Sequence, residues 1–188
     1  MTKHLCMRLY MLLLGCRPNG RLTEQHDVCF VVAPSLKEAV PQIVAAWPEA
    51  RGKMHIDAWR HVQQVGNHTI SIEEGKSTDA AADQLFFINL GGYQLQEFAE
   101  RHFMMLVVAN DLNDAKKNAK AADFYQENLQ AHIDDKFALD IDDIFSVQDV
   151  LHQNRLPYRI QIKENTTEAV LDKILNGYFP LKGLDPGW

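Results

Sequence analysis

Apolar residues along this chain fall in short unbroken runs. LYMLLLG (9–15), VCFVVA (28–33), LFFINLG (85–91) and FMMLVVA (103–109) are rich in aromatic and β-branched residues and end at glycine or polar stretches. Such runs predict strands covered on both faces, and therefore central in a sheet. A loop of about ten residues joins each pair, with turn signals at Pro18-Asn19-Gly20 and at Gly91-Gly92. After each second strand the pattern takes a helical period. Ser35 with Glu38, and Asp111 with Asp114, set an N-cap and an acidic third residue before it. In the first case Leu36, Ala39, Val40, Ile43, Ala46 and Trp47 follow helical spacing, with Pro41 expected to kink the helix or leave a short turn before it. Downstream, HVQQVGNHTISI (61–72) alternates around Gly66-Asn67 as two short strands, and YRIQI (158–162) reads as the counterpart of HTISI. A last helix is expected from Asn165 through TEAVLDKIL to Asn176-Gly177.

The order of elements recurs because the sequence does. A shift of 76 residues lays Leu9–Ala46 on Leu85–Ala122 without a gap. It matches Gly15 with Gly91, Glu24 with Glu100, His26 with His102, and Val31-Val32-Ala33 with Val107-Val108-Ala109. At a shift of 77, His55-Ile56-Asp57 meets His132-Ile133-Asp134. The expected fold class is α+β: two pseudo-symmetric β-β-α-β-β repeats, 5–74 and 84–164, with a C-terminal helix and tail over 165–188. Each unit has one helix to cover several doubly apolar strands, so the two are expected to pack on each other as one compact body. The match between LYMLLLG and the internal LFFINLG also decides how the N-terminus is read. Lys3, His4 and Arg8 before LYMLLLGC imitate a lipoprotein signal, but the repeat makes this segment a buried strand.

Composition narrows the class of function. The 188 residues carry 19 Lys+Arg against 25 Asp+Glu, a net charge of −6, and 46% hydrophobic residues. That balance lacks the clustered base a nucleic-acid partner requires. No apolar run approaches the ~18 residues of a membrane span. Neither partner is expected, whereas a homodimer is compatible with the edge strands of such a fold. Three cysteines, Cys6, Cys16 and Cys29, form neither a C-x-x-C pair nor a disulfide framework, which suits a reduced, cytoplasmic setting.

The eight histidines stand out. Four of them sit at repeated positions, each with a carboxylate two residues away: Glu24/His26, His55/Asp57, Glu100/His102 and His132/Asp134. Residues i and i+2 of a strand share a face about 6 to 7 Å apart, so each pair offers an imidazole and a carboxylate to one spot. If the pairs of a unit converge, they form a His₂-carboxylate₂ cluster suited to zinc, manganese or ferrous iron, with an open position able to activate water. A metal-free polar site for a small molecule, or a structural hydrogen-bond network, is compatible with the same residues. A second, weaker candidate is the loop Gly15–Arg21, where Arg17 and Arg21 offer anion-binding guanidinium groups. A Cys-His catalytic pair is possible in the first repeat alone, because Cys16 and Cys29 correspond to Gly92 and Met105. No Walker loop, Rossmann fingerprint, H-E-x-x-H or G-x-S-x-G occurs. The acidic stretch 134–143 lacks a calcium-loop pattern and reads as a solvated face.

LYMLLLGCRPNGRLTEQHDVCFVV, followed by the helix and HIDAW, resembles the bacterial family catalogued as domain of unknown function 1543. GCRPNGRLTEQHD carries the likeness most specifically, and the second copy departs from it with GYQLQEFAERH. The resemblance implies the repeat and a bacterial cytoplasmic origin, and it implies no activity, ligand or cofactor. The leading expectation is a binding or accessory module. The alternative is a small enzyme, such as a metal-assisted hydrolase, using the repeated pairs.

Overall fold

The computed structural model describes residues 6–75, 83–92, 96, 98–121, 141–166 and 170–184. They form a mixed α+β chain of antiparallel sheets with three α-helices, in two compact units: Met1–Lys76 with Arg155–Trp188, and Ser77–Asn154.

In the first unit, β1 (Arg8–Cys16) lies between β2 (Gln25–Ala33) and β3 (His55–His61), and β10 (Leu175–Pro180) pairs with β3 on the other side. Helix α1 (Leu36–Ala46) crosses from β2 towards β3 and opens as expected, with Ser35 Oγ accepting from Glu38 N at 3.4 Å. The helix runs through Pro41. Strand alternation sends Tyr10, Leu12 and Leu14 into one core with Val31, Ala33, Ile56 and the helix residues Leu36, Ala39 and Ile43. Gly15 therefore faces the other way. The VCFVVA run, expected to be central, is buried but lies at a sheet edge. Gln42 of α1 closes that edge, its amide donating to Val32 O at 2.7 Å and accepting from Val32 N at 3.1 Å.

Among the described residues, the second unit holds a three-stranded antiparallel sheet. β6 (Gln84–Gly92) lies between β7 (Arg101–Ala109) and β8 (Ile141–Ser146), and α2 (Leu112–Lys120) is capped by Asp111, which accepts from Asn113 N and Asp114 N at 2.7 and 2.9 Å. Phe86, Ile88 and Leu90 fill its core with Val107, Ala109, Ala115 and Ala119. β8 arises from the acidic stretch read as a solvated face, and Ser146 caps α3 (Val147–Gln153), a helix the sequence reading did not assign. Gly91-Gly92, read as a turn signal, are the last two residues of β6.

Two expectations for the C-terminal third are corrected. β9 (Tyr158–Glu164), expected to complete the second repeat, pairs with β5 (His68–Glu74) in the first unit, where β4 (Gln64–Val65) completes the sheet. Its register sets Ser71 opposite Gln161, flanked by Ile70 with Ile162 and Ile72 with Ile160. The expected C-terminal helix is also replaced: residues 170–174 are irregular and 175–180 are the strand β10. The physical reason lies in its intended cap. Asn165 donates its amide to Gln64 Oε1 at 3.0 Å and accepts from Thr69 Oγ1 at 2.6 Å, so it ties down the β4–β5 hairpin instead of starting a helix. Asp172 Oδ2 then accepts from Gln63 N and Gln64 N at 2.9 and 3.0 Å, while Leu175 and Phe179 pack on the first core. Tertiary contacts override helix propensity here.

Candidate functional site

The end of each central strand carries a glycine on the face away from the helix. Gly15 pairs with His26 of β2 and with His55 of β3, and Gly91 pairs with His102 of β7. Cross-strand partners point to the same side, so imidazoles rise on the flanks of a residue with no side chain. A Cβ on Gly15 would come within 2.6 Å of His55 Nε2, and one on Gly91 would come within 2.8 Å of Asp142 Cγ. These glycines leave room for the charged groups of neighbouring strands to close over the sheet.

The third strand of each unit adds a carboxylate through a bulge. Between β1 and β3 the register shifts at Leu13/Leu14, so Ala58 and Ile56 are paired while Asp57 is the extra residue. Between β6 and β8 it shifts at Asn89/Leu90, leaving Asp142 between the paired residues Asp143 and Ile141. A bulge re-aims the side chain it carries. Both bulged residues are aspartates, and Asn89 and Leu90 are the residues that the 76-residue shift lays on Leu13 and Leu14.

In the first unit all four expected residues meet. His55 Nε2 lies 3.0 Å from Asp57 Oδ1 and 3.3 Å from Glu24 Oε1, and His26 Nε2 lies 3.2 Å from Asp57 Oδ2. His55 is the most enclosed of the four, at 12% side-chain exposure, and its ring rests against Tyr178 of β10 with centroids 4.2 Å apart. In the second unit His102 Nδ1 lies 3.1 Å from Asp142 Oδ2, and its Nε2 lies 4.0 Å from Glu100 Oε2. One ligand atom from each of Glu100, His102 and Asp142 falls within 4.8 Å of the other two. Asn89 Nδ2 lies 3.3 Å from His102 Nδ1 and donates to Asp143 Oδ2 at 3.3 Å.

His132 and Asp134 lie outside the described residues; among the described residues, Asp142 stands at the bulge of β8. Its signal was present: Ile141-Asp142 repeats Ile56-Asp57 at a shift of 85, behind an insertion that made the nearer His-Ile-Asp the better match. Asn89 was legible too, as the one polar residue inside LFFINLG. Arg17 and Arg21 are exposed in the β1–β2 loop. Cys29 is a poor nucleophile, because burial, and then the Asp27 carboxylate, push its thiol up to about 12.

Chemically, the second set offers one imidazole nitrogen and two carboxylates to a common point. Three such donors suit a divalent first-row ion and leave a fourth position for water or a ligand.

Residues 21–72, which carry β2, α1, β3 and most of the first site, match the model of a family described as Domain of Unknown Function (DUF1543). No curated protein matches the chain. Among solved structures, the protein Il1583 from Idiomarina loihiensis is similar, at 22% sequence identity over 94% of this chain and 99% of that one, with a TM-score of 0.63. At that identity the likeness speaks for the fold.

Proposed function

We propose that this chain is a binding module for a divalent transition-metal ion, seated on Glu100, His102 and Asp142 above Gly91. The observation that carries the reading is the convergence of three ligand atoms within 4.8 Å, on a surface that a side chain at position 91 would fill. The donors come from three places, the loop before β7, β7 itself and the bulge of β8, so the sheet presets their spacing. With three protein donors, a bound ion keeps a coordination position through which it could hold a ligand or activate a water, the route to the alternative of metal-assisted hydrolysis.

The duplicated sequence fits this reading as two copies of one scaffold. Its support is the shared strand order, the bulged aspartate at matching positions and the β5–β9 register, in which like strands pair about Ser71 and Gln161. A reduced, cytoplasmic setting and a bacterial origin belong to the same proposal, with three free thiols in favour of the former. No nucleic-acid or membrane partner is proposed, and a homodimer is left to a sedimentation measurement. No helix among the described residues is long and apolar enough to cross a membrane.

Calorimetric titration of metal-free protein with zinc tests the seat. Asp142→Ala is expected to weaken one binding event at least about 10-fold to 100-fold, with little change in the melting temperature because Asp142 is partly exposed. A melt lowered strongly with no zinc bound by the wild type would make the set a structural network and refute the proposal.

A further inference from the structure

We propose that Glu24, His26, His55 and Asp57 form a second, separate cation seat over Gly15, taking a divalent ion of the zinc class, with Tyr178 as the residue that positions His55. None of these residues belongs to the Glu100, His102 and Asp142 set, so either seat can be occupied without the other.

The four side chains lie in series: His55 Nε2 is 3.3 Å from Glu24 Oε1 and 3.0 Å from Asp57 Oδ1, and the other Asp57 oxygen, Oδ2, is 3.2 Å from His26 Nε2. A tetrahedral ion with bonds of about 2.0 to 2.1 Å needs neighbouring donors about 3.3 to 3.4 Å apart. Closing the series into a shell requires movement of its two ends. Those ends are the exposed members, Glu24 at 44% and His26 at 47%, whereas His55 and Asp57 are held at 12% and 26%. Two further observations point to a ligand. Asp57 Oδ2 is buried and makes no aligned hydrogen bond, although His26 Nε2 is 3.2 Å away. The space in front of it exists because position 15 has no Cβ, which would otherwise stand 2.6 Å from His55 Nε2.

The donor set differs from that of the second unit. Two imidazoles with two carboxylates favour zinc and its neighbours over magnesium or calcium, which take oxygen ligands. Tyr178 is 71% exposed, yet its ring lies on His55 at 4.2 Å with a 36° tilt, so it limits rotation of that imidazole without itself offering a donor at the cluster.

The test is zinc calorimetry on the full metal-free chain, with cobalt(II) absorption as a report on coordination. The wild type is expected to bind two ions. Glu24→Gln and His55→Gln should each weaken one of them by about 10-fold to 100-fold, and His102→Gln should weaken the other. Tyr178→Ala should weaken the first ion only and alter its cobalt spectrum, and Tyr178→Phe should restore both. Because Glu24 is exposed and precedes β2, its variant separates loss of binding from loss of folding, which a melt verifies. One ion per chain, sensitive to His102→Gln and indifferent to Glu24→Gln and His55→Gln, overturns the seat over Gly15 and leaves the proposed function standing. One ion with the reverse sensitivity supports this seat and overturns the other. No bound ion overturns both.

Discussion

Gly91→Ala is expected to abolish the second seat and to destabilise its unit together. The added methyl would stand 2.8 Å from Asp142 Cγ and closer still to carboxylate oxygens of Asp142 and Glu100. Both carboxylates must then leave the point at which they meet His102. Gly91 is the penultimate residue of β6, buried and paired with His102 of β7, and it follows directly on Leu90, which is paired with both β7 and β8, so the backbone has little room to withdraw. Overpacking of this kind costs about 1 to 3 kcal/mol. Loss of two of the three donors removes zinc binding at this set altogether, while the melt falls by several degrees. The paired readouts matter: an alanine variant that melts lower yet binds zinc as tightly as the wild type would place the ion elsewhere.

The largest effect on stability is expected from Ile56→Ala in the first unit. Ile56 is fully buried between two partly buried polar neighbours, His55 and Asp57, and pairs with Leu14 on one side and Phe179 on the other. It sits beside the bulge, where the ladder loses a pair, so its side chain is what anchors this part of β3 in the core. Truncation of a buried isoleucine to alanine costs about 2 to 5 kcal/mol. For a domain stable by about 5 to 15 kcal/mol that is a large share, and it should lower the urea midpoint with the slope unchanged. His55 and Asp57 are carried by the same three residues of strand, so the first site should loosen with the core. A loss below about 1 kcal/mol would mean that Ile56 does not fasten the strand.

What the sequence made legible was local. The four apolar runs, the two caps at Ser35 and Asp111, and the convergence of Glu24, His26, His55 and Asp57 all followed from spacing within one unit. What it hid was long-range. Gly15 and Gly91 were read as ends of strands, although their value is the space they leave for side chains of two other strands, which no local pattern records. Asp142 was overlooked because His132-Ile133-Asp134 gives a three-residue match at a shift of 77, whereas Ile141-Asp142 gives only two residues at a shift of 85. Residues 170–174 fall in the stretch read as a helix and yet are irregular, and 175–180 form β10, since hydrogen bonds of Asn165 and Asp172 to the β4–β5 hairpin and the packing of Phe179 outweigh a weak local preference.

The most direct measurement is diffraction at the zinc absorption edge from crystals of the chain grown with zinc in excess. An anomalous peak is expected between Glu100, His102 and Asp142, with the His102 nitrogen and both carboxylates within about 2.0 to 2.2 Å of it. A zinc-saturated crystal with no peak above Gly91, and with His102 Nδ1 and Asp142 Oδ2 still 3.1 Å apart, would contradict this seat.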